Sequence, residues 1–163
     1  MQVPIPPVEY RDVVRREWVD YNGHLRDAFY MLLFSYASDA LLDAIGLDDV
    51  QRTARHRSVY TLEAHISYLH EVKEDASVRV AVGVLAHDRK RLHVGFEMFA
   101  EGRSDPVAAG EQMLLHVDTL GPRAAPFDED VLERVRTLAS AQTSLPIPRY
   151  IGRVISLTAK SDS

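Results

Sequence analysis

Cysteine is absent from the 163 residues. That one absence removes disulfide staples, thiolate nucleophiles and thiolate metal sites, and it accords with a reducing cytoplasm, the expected location. No stretch approaches the roughly 18 uninterrupted apolar residues of a membrane span, so no membrane partner is expected. The opening MQVPIPPVEY carries an acidic residue and prolines where a secretory signal needs an apolar run. Basic residues are in deficit, 19 − 24 = −5. That is the wrong balance for a nucleic-acid footprint. There is no HExxH pair, no phosphate-binding loop, no GxSxG elbow and no dinucleotide fingerprint, and the seven histidines are scattered, so no metal site is expected. Internal repeats and low-complexity tracts are also missing.

What is present is a chain 46% hydrophobic, ordinary for a folded domain and unlike a disordered one. Its length fits one domain over residues 1–163. After an extended Pro-rich lead-in (1–7), residues 8–18 are expected to form a first strand. A helix is expected over 28–45, where Phe29, Leu33, Tyr36, Ala40 and Ala44 recur at helical spacing; Asp27 fits its N-cap and Gly46 its stop. From Ser58 the period becomes two. Tyr60, Leu62, Ala64, Ile66 and Tyr68 are expected on one face of a strand, with Thr61, Glu63, His65 and Ser67 on the other. Further strands are expected at 78–84, 92–98 and 107–117, the first two joined through His87-Asp88-Arg89-Lys90. A surface helix over 128–141 and a tail that includes LPIP and IGR complete the chain, so residues 127–163 should pack on the domain. One long helix against consecutive antiparallel strands is an α+β arrangement.

Chemistry is concentrated around Asp20, set before the turn Tyr21-Asn22-Gly23-His24 and just ahead of the long helix. A carboxylate there can act as general base toward water or attack a carbonyl itself. Glycine at 23 allows close backbone approach, and a helix start offers unpaired N–H donors to a developing oxyanion. The same residues also suit a plain capped turn. His24 can orient a carbonyl or a water, or be a hydrogen-bonded structural residue. Glu63 and His65 share a polar strand face, open to solvent or to a cleft. Two short basic patches, Arg52/Arg55/Arg57 and Arg89/Lys90/Arg91, fit one phosphorylated ligand or ordinary solvated turns.

The run WVDYNGHLRDAFYMLLFSYASDALLDAIGLD (18–48) resembles the opening motif and central helix of hotdog-fold thioesterases related to 4-hydroxybenzoyl-CoA thioesterase. YTLEAHISYL (60–69), VLAHDRKRLH (84–93), EQMLLHVD (111–118) and GPRAAP (121–126) bring it nearest the betainyl-CoA thioesterases of bacterial carnitine degradation. The resemblance implies a helix wrapped by an antiparallel sheet, in a homodimer or dimer of dimers with sites between subunits. It implies hydrolysis of a small acyl-CoA, with Asp20 catalytic, Gly23 supplying an N–H to the thioester carbonyl and His24 beside it. CoA belongs to the substrate, its phosphates expected at Arg89, Lys90 and Arg91, and no separate cofactor is expected. For a cationic acyl group the expected surround is Trp18, Tyr21, Tyr30, Tyr36 and Tyr60, with Glu63 and His65. Many relatives continue the motif as His-Val-Asn-Asn, whereas this chain has His24-Leu25-Arg26-Asp27. A hotdog hydratase or dehydratase, or a non-catalytic acyl-CoA binding module, is the alternative.

Overall fold

A computed structural model describes residues 8–142 and 149–157. In chain order the elements are β1 (Val8–Val13), α1 (Asp27–Ala44), α2 (Asp49–Arg55), β2 (Arg57–Tyr68), β3 (Ser77–His87), β4 (Arg91–Ala100), β5 (Ala108–Asp118), the two-residue β6 (Arg123–Ala124) and α3 (Glu129–Gln142). The expected first strand ends early, because the chain tightens into a 3₁₀ turn at Arg16–Trp18 that buries Trp18. The Pro-rich lead-in and LPIP lie outside the described residues.

All strand pairs are antiparallel, in the order β1-β3-β4-β5-β2, with β6 beside the end of β5. The alternation of Val78, Val80, Val82 and Val84 on β3 with Leu92, Val94, Phe96 and Met98 on β4 makes one face apolar, and α1 covers it. This is the α+β hotdog arrangement. The contact face of α1 is not the one its sequence suggests. Tyr30, Leu33, Phe34, Ala37, Ser38, Leu41 and Leu42 are buried. Phe29 and Tyr36 lie at the margin, stacked on Trp18 and packed on Tyr10 at centroid distances of 5.8 and 5.3 Å. Phe34 stacks on Phe96 at 4.9 Å. Beside it, a Cβ at Gly110 would stand 2.6 Å from the His65 carbonyl oxygen and 2.7 Å from the Phe34 ring, so only glycine admits this close helix–sheet approach.

α3 packs beside β3, its Gln142 side chain accepting from Val84 N at 2.8 Å and its Arg134 reaching Gly46 at the end of α1. Segment 149–157 touches the sheet face opposite α1, Gly152 N donating to Glu111 Oε2 at 2.6 Å. No single helix among the described residues is long and apolar enough to cross a membrane.

Candidate active site

The site begins with a turn closed on itself. Asp20 N donates to His24 O and Gly23 N to Asp20 O, both at 2.9 Å, while Val19 bridges Leu25. Buried Trp18 anchors the loop, its carbonyl accepting from Arg26 N at 2.9 Å. Gly23 has φ +76°, a left-handed conformation that glycine adopts without cost. Its N–H, expected to face a substrate carbonyl, points at Asp20's own carbonyl in this protomer.

The Asp20 side chain faces two donors, Asn22 N at 2.8 Å and His24 N at 3.2 Å, both on Oδ1. Desolvation pushes its pKa up, but the His24 and Asn22 N–H groups and nearby His24 and Arg26 charge outweigh it and hold the carboxyl below its ordinary value. Asp20 is therefore a carboxylate at neutral pH. The turn is laid against the β2–β3 connection, with Leu25 N donating to Val72 O at 2.7 Å and His24 bridging Lys73. The His24 ring then lies 3.4 Å, through Nε2, from the Glu71 carboxylate. The structure thus brings Asp20, Gly23 and His24 together.

Beside them, α1 starts where β2 ends. Tyr30 and Tyr68 meet edge-on, centroids 5.2 Å apart and planes at 88°. Tyr30 OH donates to His70 O and Tyr68 OH to Asp27 O, each at 3.2 Å. Sequence reasoning missed Tyr68 and Glu71. Tyr68 ends an apolar series that a core explains equally well, and Glu71 sits in a connector with no pattern. The only available signal was the nearness of a strand end to the helix start.

The other expected aromatics are not gathered here. Trp18 is buried between Phe29 and Arg15, whose guanidinium lies 4.5 Å over its ring. Tyr21 is 92% exposed. Tyr36 packs on Tyr10. Tyr60 is displaced by a β-bulge: Thr61 pairs with Leu114 and Glu63 with Met113, leaving Leu62 extra. The slip turns Thr61 toward α1 and moves Tyr60 to the face of Glu63 and His65, correcting the simple alternation. That face is the one that segment 149–157 touches, through Gly152 N on Glu111. There His65 pairs with Glu111, and His93 Nε2 lies 3.8 Å from Glu111 Oε1. Within the chain, Tyr60, Glu63 and His65 lie on the face of the sheet opposite α1.

The hairpin joining β3 and β4 carries Arg89, Lys90 and Arg91. Asp88 Oδ1 accepts from the N–H groups of Lys90 (2.8 Å) and Arg91 (2.7 Å), and Arg91 Nε binds Asp88 Oδ2 at 2.7 Å. The Lys90 N–H and the Arg91 side chain hold the Asp88 carboxyl down at about 2. Arg91 is thereby committed, while Arg89 and Lys90 are exposed at the tip. Their hairpin lies at the far end of β3 from the His24–Lys73 bridge, a strand of 11 residues that runs roughly 33 Å at the usual rise. The other patch is neutralised internally. Arg52 lies 3.7 Å from Asp49, Arg55 is clamped between Asp128 and Asp130, and Arg57 is 3.3 Å from Asp118. Among the described residues no three His, Asp or Glu side chains converge as metal ligands do.

Comparison with known proteins places this geometry. The betainyl-CoA thioesterase of Pseudomonas aeruginosa PAO1 is 55% identical over 148 residues, 91% of this chain and 93% of that protein. A crystal structure of a Pseudomonas putida KT2440 protein superposes with TM-score 0.83 at 48% identity, covering 95% of this chain and 99% of that one. A Staphylococcus aureus protein solved in complex with CoA shares the fold, with TM-score 0.90 at 23% identity over 97% of this chain and 99% of its own. The model of the thioesterase-like superfamily matches residues 14–135, and the chain belongs to that superfamily.

Proposed function

We propose that this protein hydrolyses betainyl-CoA to glycine betaine and CoA in the cytoplasm, with Asp20 as the reacting carboxylate. One observation carries the reading. The motif that supplies the Asp20–His24 turn also ionises Asp20 and seats it at the start of α1, in a chain 55% identical to a betainyl-CoA thioesterase. Asp20 either takes a proton from water as the water oxygen adds to the carbonyl carbon, or adds to that carbon itself to form an anhydride that water hydrolyses after the thiolate has left. The C–S bond then breaks and the sulfur leaves as a thiolate, which with a pKa of about 8.5 needs little protonation. The Gly23 N–H is taken up within the turn, and at the start of α1 the Ala28 and Phe29 N–H groups are likewise held, by Asp27 Oδ1 and Arg26 O, so the developing oxyanion is met by the dipole of the helix N-terminus rather than by a free N–H.

The working unit in this reading is a dimer. β2 is an edge strand, and Tyr60 and Leu62 on it are about half exposed. Two copies joined antiparallel through β2 bury that edge and set the start of one β2 beside the end of the other. The 89–91 hairpin lies toward the start of β2, since Arg91 pairs with Leu115 and Leu115 with Tyr60. Joining therefore brings the partner's hairpin toward the Asp27/Tyr68 end, where Arg89 and Lys90 can meet the phosphates of CoA. Binding of CoA by a protein of the same fold accords with this arrangement.

Thiol release from betainyl-CoA and from 3,3-dimethylbutyryl-CoA, its neutral near-isostere, tests the reading. The expected result is turnover of both, with kcat/KM about tenfold higher for the cationic ester. Preference for the neutral ester refutes the substrate, and the absence of thiol release refutes the reaction.

A further inference from the structure

We infer that Tyr68 and Glu71, backed by Tyr30, form the subsite that takes the quaternary ammonium of the acyl group. The inference rests on the hydrolytic reading above and names the residues that select its substrate.

The two rings are fixed before any ligand arrives. Each tyrosine is packed against the other and each hydroxyl is tied to a main-chain carbonyl, Tyr30 to His70 and Tyr68 to Asp27. Little rotamer freedom remains to be lost on binding. Tyr30 is 4% exposed and serves as the wall, whereas Tyr68 is 50% exposed and keeps ring surface open. A trimethylammonium group donates no hydrogen bonds, so it is recognised by ring faces and by negative charge.

Both kinds of partner are present. Burial raises the Tyr30 pKa to about 12, and the Glu71 charge adds to the rise; the Tyr68 pKa is also raised, by burial and then by the Asp27 charge. A negative field that opposes a phenolate attracts a cation placed at the same rings. Among the described residues no Arg or Lys side chain forms an ion pair with Glu71, whose carboxylate lies 3.4 Å from the His24 ring. Asp27 adds a second carboxyl at this corner, its carbonyl holding the Tyr68 hydroxyl and its charge reaching the Tyr68 ring.

The placement also satisfies the connectivity of the substrate. In a betainyl thioester one methylene separates the nitrogen from the reacting carbonyl carbon, so the cation must bind next to the attacking group. His24 spans that interval, its N–H on Asp20 Oδ1 at 3.2 Å and its ring 3.4 Å from Glu71. Tyr60, Glu63 and His65, across the sheet, do not meet this requirement within the protomer.

The test compares purified wild type, Glu71→Gln, Tyr68→Leu and Tyr68→Phe on betainyl-CoA and 3,3-dimethylbutyryl-CoA. Glu71→Gln and Tyr68→Leu are each expected to lower the ratio of kcat/KM for the charged ester over the neutral ester about tenfold. Tyr68→Phe, which keeps the ring, should hold that ratio within about twofold of wild type. The Glu71 side chain is 77% exposed, so the Gln variant decides the matter if Tyr68→Leu does not fold. A ratio that holds in either Glu71→Gln or Tyr68→Leu, or that falls in Tyr68→Phe, overturns the subsite while leaving betainyl-CoA as substrate. A wild-type enzyme with no preference for the charged ester overturns the substrate reading beneath it.

Discussion

Two main-chain donors hold the Asp20 carboxyl below its ordinary value, and that arrangement separates its structural role from its chemical one. Asparagine retains an oxygen at the same place, able to accept from Asn22 N and His24 N, but it carries no negative charge. Asp20→Asn should therefore leave the thermal midpoint within a few degrees of wild type and lower kcat for thiol release by about a hundredfold or more. Near-normal turnover would remove Asp20 from the chemistry. The sign of its pKa shift adds a second expectation. The carboxyl lies below its ordinary value, so the acid limb of kcat/KM that reports on Asp20 should fall below about pH 4 rather than near neutrality. The sequence makes the turn legible, because Asp-Tyr-Asn-Gly-His has the residues such a turn needs. It does not reveal where the Gly23 N–H points, since an N–H looks the same in any sequence.

At the scale of elements, legibility follows the strength of the pattern. β3, β4 and β5 alternate cleanly, and α1 is long and apolar, so their existence is readable. β2 misleads because one extra residue, Leu62, inverts the faces on either side of it, and nothing in a run of alternating residues marks a bulge. α2 escapes notice because none of its seven residues is buried, so it has no apolar stripe. A consequence of element packing lies at the far end of β5. His116 is fully buried, with Nδ1 2.9 Å from Ala125 O, its ring 4.5 Å from Phe127 and Nε2 without a partner among the described residues. Burial pushes its pKa down despite the Ala125 hydrogen bond. The folded chain thus binds a proton less readily than the unfolded one. The neutral ring's contribution is complete above the unfolded value of about 6.5 and is lost as pH falls toward the folded pKa. The unfolding free energy from urea titrations should fall for wild type between pH 7.5 and 5.5, by at most ~1.4 kcal/mol per pH unit from this group. His116→Asn, which keeps a donor toward Ala125 O but does not titrate, should show a shallower fall. Equal slopes would show that His116 does not govern this dependence.

At the scale of the whole molecule, the distance along β3 constrains how the enzyme can be assembled. Asp20 and the Arg89/Lys90 hairpin lie toward opposite ends of an 11-residue strand, so a protomer that used both on one substrate would have to bridge about 33 Å. The joined-sheet dimer proposed above would resolve this by pairing each Asp20 with the partner's hairpin. A hybrid dimer distinguishes the alternatives. One chain carries Asp20→Asn and an intact hairpin, the other carries Arg89→Ala with Lys90→Ala and an intact Asp20, and separate affinity tags isolate the mixed species. If the hairpin serves the partner's site, the second chain's Asp20 meets the first chain's intact hairpin, giving one complete site. The hybrid should then show a KM close to wild type and about half its kcat. The hairpin variant alone should show a raised KM with little change in kcat, as expected for contacts made equally in ground and transition states. If the hairpin serves its own protomer, no complete site exists in the hybrid and its KM stays as high as that of the hairpin variant. A single 18.4 kDa species at micromolar concentration in the ultracentrifuge, with full activity, would exclude the shared site altogether.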